Sequence, residues 1–277
     1  MESGSGLGTM TNHRLDAKRI APRLKTARIG RRLLVLDEVD STNEYALGVL
    51  APREELAADG MVVFAEHQTA GRGRLGRTWH SPRGASLAMT VLLCESQLPP
   101  SPVRLVMAGG VAVAKAVAST TDVEPVIRWP NDVYVGPKKL AGILVEARSV
   151  GTVSWAMAVG IGLNCLQQAG HFPPDLRDRA TSLELESKHA IDREAVAVAV
   201  MNELDVLVRR DSSVSDAALV DQWRARSADL GTRVTLRENG QTYSGIILDV
   251  HPQSGLLLQL DTGARRHFDP ATTSREG

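Results

Sequence analysis

The sequence predicts a mixed α/β domain followed by a small all-β unit, and three observations predict it. Apolar, β-branched runs of strand length, "MVVFAE", "SLAMTVLLC" and "SWAMAVGIGLNC", are interleaved with segments of helical spacing such as "SPVRLVMAGGVAVAKAVAS" and "DREAVAVAVMNELDVLVRR". From Gly231 the pattern changes to short alternating strands joined by Asn239-Gly240 and Ser254-Gly255 turns. That last stretch, about 45 residues, is too short for a sandwich and suits a compact barrel. The divisions read as 1–30 for a disordered or tag-derived lead with a Gly/Ser-rich start, 31–228 for the α/β domain and 229–277 for the barrel.

In chain order, "RRLLVLDEVD" reads as a strand, and Ser41 with Glu44 three residues on forms a capping box that starts a helix over "TNEYALGVL". "MVVFAE" and "SLAMTVLLC" read as central strands flanking an arginine-rich loop. A long helix follows, then "VIRW", a strand stopped by Pro130. "VYV", the turn "GPKK" and "LAGILVEAR" make a hairpin, and "SWAMAVGIGLNC" a strand that breaks at its glycines. A helix from Asp192 to Arg210, acidic at its start and basic at its end, precedes a second over "SDAALVDQWRARSADL". The barrel strands are "RVTL", "TYSGIILDV", "LLLQL" and "RRHF".

Charge narrows the function classes. The 32 Lys+Arg balance 32 Asp+Glu, so the molecule as a whole has no footprint for nucleic acid or an anionic membrane, and any basic function is local. The most apolar helix is interrupted by Lys115, so no membrane span is expected. Cys94 and Cys165 sit in apolar runs without metal-ligand spacing, as in a reduced, cytoplasmic protein.

The local basic feature is "TAGRGRLGRTWHSP", residues 69–82, where Gly71 to Gly76 reads G-x-G-x-x-G. A dinucleotide turn needs a helix directly after those glycines. Here "RTWHSPRGA", with Pro82 and Gly84, crosses to the next strand as loop, which excludes that reading. Glycines that admit close approach and forked guanidinium donors suit a loop wrapped around a phosphorylated ligand; a solvated Gly/Arg loop is the bland alternative. "RWPNDVYVGPKKLAGILVEA" adds Asn131 and Asp132 after a proline, placed for nucleotide or Mg²⁺, and Lys138-Lys139 ahead of Ala141-Gly142.

With Ser41-Thr42-Asn43, Gly71-Arg72-Gly73-Arg74, Trp129-Pro130-Asn131-Asp132, Lys139-Leu140-Ala141-Gly142-Ile143-Leu144 and Gly160-Ile161-Gly162-Leu163-Asn164 in that order, the chain resembles the biotin–protein ligases from about Leu33 onwards. The resemblance implies a catalytic domain akin to class II aminoacyl-tRNA synthetases and a Src-homology-3-like barrel. It implies that biotin is activated with Mg-ATP to biotinyl-5′-AMP and pyrophosphate. Biotin is then transferred to one lysine of a biotin carboxyl carrier protein or carboxylase domain.

On that resemblance, Ser41, Thr42 and Gln68 bind the biotin head group. The Gly71–Gly76 loop is disordered without ligand and folds over the acyl-adenylate, with Arg72 and Arg74 near carboxylate and phosphate. Arg77 assists at the triphosphate, Trp79 and Asn164 lie on the adenine side, and Asn131 and Asp132 bind nucleotide and metal. Lys139 touches both carboxylate and α-phosphate, with an electrostatic role, and Gly142, Gly160 and Gly162 form a wall where ligand lies on backbone.

Two departures stand out. Arg128 replaces the lysine common before Trp-Pro-Asn-Asp, and about 30 residues before the first strand are too few for a winged helix, which implies a ligase without DNA binding. A lipoate–protein ligase shares fold and chemistry, though a dithiolane has no use for the polar set Ser41, Thr42 and Gln68. A non-catalytic biotin sensor or carrier-binding protein is the other alternative. Monomer or homodimer is left open.

Overall fold

The computed structural model describes residues 14–95, 101–150, 154–209 and 214–276. Seven strands form one mixed sheet: β1 Leu33–Leu36, β2 Val62–Ala65, β3 Ser86–Glu95, β4 Val126–Arg128, β5 Asp132–Val135, β6 Lys138–Val150 and β7 Ser154–Asn164. Their spatial order is β1-β2-β3-β7-β6-β5-β4, with β1 and β2 parallel and every other neighbouring pair antiparallel. Five further strands, β8 Arg233–Glu238, β9 Gln241–His251, β10 Gly255–Leu260, β11 Arg265–Phe268 and β12 Thr273–Glu276, make a second, antiparallel sheet in the order β11-β10-β9-β8-β12. This is the expected mixed α/β architecture with a small β unit at its end. β12 is the strand the sequence pattern did not disclose: "TSRE" carries no apolar alternation, and Thr273 is its buried anchor.

Alternation along the central strands assigns the two faces of the large sheet. Leu87, Met89 and Val91 of β3, Val159 and Ile161 of β7 and Ile143 of β6 share one face and enter the main core with helices Pro102–Thr120 and Arg193–Val208. At Gly109 an added Cβ would stand 3.0 Å from Ile143, so the missing side chain lets helix and sheet approach. Helix Pro102–Thr120 is long and apolar enough to cross a membrane on composition alone, but its apolar residues are buried in this core. The opposite face carries Ala88, Thr90, Gly142, Leu144, Gly160 and Gly162 in register: Thr90 and Leu144 flank Gly160, and Ala88 and Gly142 flank Gly162. Small residues there leave room that side chains of other segments, Asn43 and Trp79, occupy.

Four expectations change. Residues 14–30, expected in the disordered or tag-derived lead, are packed on the domain: Leu15, Ile20 and Ile29 are buried, and the Leu15 N–H donates to Glu66 at 2.7 Å. The Gly/Ser-rich start lies outside the described residues. Ser41 occupies the N-cap position of the Thr42–Tyr45 helix, but its side chain makes no capping bond, and Glu44 turns outward to Arg72 and Arg148. β7 runs unbroken through Gly160 and Gly162, because their freed space is filled from other segments. The hairpin turn narrows to Gly136-Pro137, since the Lys139 N–H and C=O pair with Arg179 and Thr181 and draw both lysines into β6.

One buried ion pair joins these layers. Arg193 Nη2 donates to Glu66 at 2.8 Å with both side chains under a tenth exposed, and Nη1 donates to the Ser86 carbonyl at 2.9 Å. Removing one partner strands a buried charge, which costs about 3–5 kcal/mol. Arg193→Ala should therefore lose about that much in urea unfolding monitored by circular dichroism; a loss under about 1 kcal/mol would show that Glu66 is relieved by water.

Candidate active site

Three groups of side chains gather at this small-residue face. The first is polar and buried. The Thr42 N–H and Oγ1 donate to Gln68 Oε1 at 2.9 and 3.1 Å, and Thr90 Oγ1 lies 2.8 Å from Thr42 Oγ1 and 2.6 Å from Asn43 Oδ1. Ser41 is buried beside them. An added Cβ at Gly160 would lie 2.4 Å from Asn43 Oδ1, so the glycine admits the Asn43 amide, whose nitrogen donates to Leu144 O and Glu146. Asn43, quoted within Ser41-Thr42-Asn43, was given no role, and Thr90 was not singled out; a lone threonine inside "SLAMTVLLC" was its available signal.

The second group is the arginine loop. The Trp79 N–H donates to Gly71 O, Gly73 N–H donates to Arg77 O, and Leu75 at the tip has φ +54° and a half-exposed side chain. Its arginines differ in kind. Arg72 is neutralised, with Nη2 3.0 Å from both Glu44 and Glu146. The Arg148 bond, then Arg72, hold the Glu44 carboxyl below its ordinary range. Arg74 instead donates to neutral acceptors: Asn131 Oδ1 at 3.0 Å, Thr273 O at 2.6 Å and Pro270 O. Burial without a carboxylate in contact pushes its guanidinium down to about 10, partly offset by the fields of Asp132 and Asp269. It keeps its charge at neutral pH and, among the described residues, has no bonded counter-ion. Arg77 extends its side chain toward solvent from the same loop.

The third group is Lys139, Asp132 and Trp79. Lys139 Nζ is 2.6 Å from Asp132 Oδ1 and 5.6 Å from the Trp79 ring centroid. The indole lies on this face: an added Cβ would stand 2.4 Å from Trp79 Cε2 at Gly162 and 3.3 Å from both Lys139 Nζ and Trp79 at Gly142. Among the described residues the buried Trp79 Nε1 has no hydrogen-bond acceptor. Gly162→Ala should lever the indole away. We expect stronger acrylamide quenching of tryptophan emission, with the increment vanishing in a Trp79→Phe background; unchanged quenching would show that this face absorbs a methyl.

Beside these groups opens a cavity of about 780 Å³ lined by Thr69–Thr78, Pro102, Val103, Val106, Leu144–Glu146 and Asp269–Ala271. The Asp269–Ala271 wall comes from the small sheet's last turn, and nothing in the local sequence announced it. Lys139, Asp132 and Trp79 are not part of this lining. Asn164 stands apart: Nδ2 donates to Thr181 O and Oδ1 accepts from Gln167, both at 2.8 Å, so both ends of its amide serve the wall. Lys138 reaches Arg177 O, and Arg128 stacks 4.4 Å from the Tyr134 ring centroid. Cys165 is buried and its thiol is pushed up to about 12 by desolvation, which leaves it inert.

On this mixed sheet a buried polar cluster of Thr42, Asn43, Gln68 and Thr90 lies with Arg74 and with the Lys139–Asp132 pair. The profile of the Biotin/lipoate A/B protein ligase family matches residues 35–164. A Mycobacterium tuberculosis protein described as a biotin–acetyl-CoA-carboxylase ligase is 35% identical over 257 residues, 91% of this chain and 91% of that protein. The bifunctional ligase/repressor BirA of Bacillus spizizenii is 30% identical over 88% of this chain and 74% of its own length. The structure of biotin protein ligase from Aquifex aeolicus in complex with biotin and ATP superposes with a TM-score of 0.74 at 27% identity, covering 89% of this chain and all of that one. The chain belongs to the biotin protein ligases of the Biotin/lipoate A/B protein ligase family.

Proposed function

We propose that this chain activates biotin with ATP and transfers it to a lysine of a biotin carboxyl carrier protein. The observation that carries the reading is the juxtaposition of a buried polar cluster, Thr42–Gln68, with Lys139 and an Arg74 that has no bonded carboxylate among the described residues. In the first step a biotin carboxylate oxygen attacks the α-phosphorus and pyrophosphate leaves. In the second, the carrier lysine amine attacks the acyl carbon and AMP leaves. Two anions must be brought together in the first step, and preorganised cations lower that barrier.

We assign Ser41, Thr42 and Gln68 to the ureido head group, which needs fixed donors and acceptors; the existing Thr42–Gln68 bonds support their preorganisation. Lys139 and Arg74 serve the carboxylate and α-phosphate, and Arg77 the outer phosphates. Arg72, already paired with Glu44 and Glu146, shapes the loop and turns to ligand only by exchanging a carboxylate. Trp79 presents an unmatched indole N–H beside Gly142 and Gly162, which suits the adenine side, and Asn131 orients Arg74. Asn164 acts as a wall residue.

A magnesium ion fits this donor set in one mode. Among the described residues no three His, Cys, Asp or Glu are grouped to hold a metal. Mg²⁺ ordinarily takes one or two carboxylates plus substrate phosphates and keeps several waters, for which Asp132 suffices. Bound there, it would supply charge neutralisation at the phosphates.

Pyrophosphate exchange into ATP, measured with biotin, with lipoate and with no acid, tests the reading. Exchange with biotin alone is expected. Exchange with lipoate would assign the sister activity, and none with either acid, if biotin still binds, would make the chain a sensor.

A further inference from the structure

A buried chain of hydrogen bonds runs behind Thr42 and Gln68, and its direction is fixed from one end. Asn43 Nδ2 donates to the Leu144 carbonyl at 3.1 Å and to Glu146 Oε2 at 2.9 Å. Carbonyl and carboxylate oxygens accept, so the amide cannot be turned over, and its Oδ1 faces Thr90. That oxygen fills the space where Gly160 lacks a side chain, which pins it in place.

Thr90 comes next in the chain. Its hydroxyl has a single proton to give, and both Asn43 Oδ1, at 2.6 Å, and Thr42 Oγ1, at 2.8 Å, lie within reach. Asn43 Oδ1 can only accept, and Thr90 is the donor that meets it among the described residues, so the proton goes to Asn43. Thr42 then receives none from Thr90. Its own proton turns inward, to Thr90 Oγ1 or to Gln68 Oε1 at 3.1 Å, an oxygen already fixed as acceptor by the Thr42 N–H at 2.9 Å. The Thr42 hydroxyl keeps its lone pairs for an incoming N–H. Thr90 itself is 0% exposed, so it reaches a ligand only through Thr42.

We propose that Thr90 is a positioning residue for biotin binding: with its proton committed to Asn43, it fixes the Thr42 hydroxyl as the acceptor for a ureido N–H. The proposal rests on the biotin-activating function inferred above. It makes the effect of Thr90 conditional, because a residue that acts through Thr42 has nothing to act on once that hydroxyl is gone.

The test uses the full chain carrying Thr90→Val, Thr90→Ser, Thr42→Val or both valine substitutions. Measured are biotin affinity by calorimetry, KM for ATP in biotin-dependent pyrophosphate exchange, and thermal melting. Thr90→Val fills the same space without the hydroxyl. It should weaken biotin binding about three- to tenfold, the range for one neutral hydrogen bond, with KM for ATP within about twofold of wild type. Thr90→Ser, which keeps the hydroxyl, should bind biotin within about twofold of wild type. In the Thr42→Val background, Thr90→Val should cost less than about a further twofold. Unchanged biotin affinity in Thr90→Val, or an equal loss in both backgrounds, overturns the positioning role, since a residue that only packs would act additively. If Thr90→Val fails to melt cooperatively, Thr90→Ala, which also lacks the hydroxyl, carries the same comparison. Wild-type binding of biotin without exchange overturns the adenylating function alone, and absence of biotin binding overturns the function and the role together.

Discussion

Lys139→Ala should lower biotin-dependent pyrophosphate exchange by about two to three orders of magnitude, the range for removing one preorganised electrostatic donor from a reacting centre. The geometry makes the effect specific. The Lys139 backbone is anchored by bonds to Arg179 and Thr181 of a separate segment, so losing the side chain leaves β6 in place. Its ammonium is 2.6 Å from Asp132 and faces the indole of Trp79, which itself covers Gly162, so the cation stands at the edge of the glycine-backed indole. The substitution also leaves Asp132 without its cation, adding a negative charge exactly where two anionic reactants must meet. Lys139→Arg is expected to recover little, because a planar fork cannot replace a compact ammonium over Gly142, where Nζ already stands 3.3 Å from the Cβ position. Exchange within about threefold of wild type in Lys139→Ala would remove Lys139 from the mechanism. Unfolding of that variant is not expected, since its side chain is partly exposed.

Much of this was legible from residues alone, and the reason is local physics. Apolar runs bounded by turn residues identified β2, β3, β6 and β7, and the turn signals Asn239-Gly240 and Ser254-Gly255 placed the hairpins of the small sheet. The convergence of Lys139, Asp132, Arg74 and Asn131 followed from motif order once the family resemblance was stated. What was not legible depends on contacts between distant segments. Arg72 and Arg74 are indistinguishable in "GRGR", yet one is neutralised by Glu44 and Glu146 and the other rests on carbonyls from residues 270 and 273. The role of Glu44 was misread for the same reason: a capping box is a local expectation, and two distant arginines outcompeted it. The glycines of β7 suggested a break because isolated glycines weaken strands; the bodies that fill their space, Asn43 and Trp79, come from elsewhere in the chain.

The difference between the two arginines carries the second large prediction. Arg74 ties the loop to Asn131 on one side and to the Pro270 and Thr273 carbonyls on the other, so Arg74→Gly removes every side-chain bond that this position gives to the closed loop. Hydrogen bonds from a charged donor contribute about 1.5–3 kcal/mol each, so losing even one shifts the loop toward opening by about 10- to 100-fold. An open loop should let the acyl-adenylate escape before the carrier arrives. Bystander proteins rich in lysine should then be labelled by the released mixed anhydride, at a rate about 10- to 100-fold above wild type, while exchange falls less than in Lys139→Ala because that cation remains. Arg72→Gly separates retention from general loop damage. It removes two ion pairs to Glu44 and Glu146 but leaves the Arg74 bonds, and should increase bystander labelling far less. Carrier-only labelling by Arg74→Gly, or equal leakage from both variants, would show that the carbonyl contacts of Arg74 do not hold the intermediate.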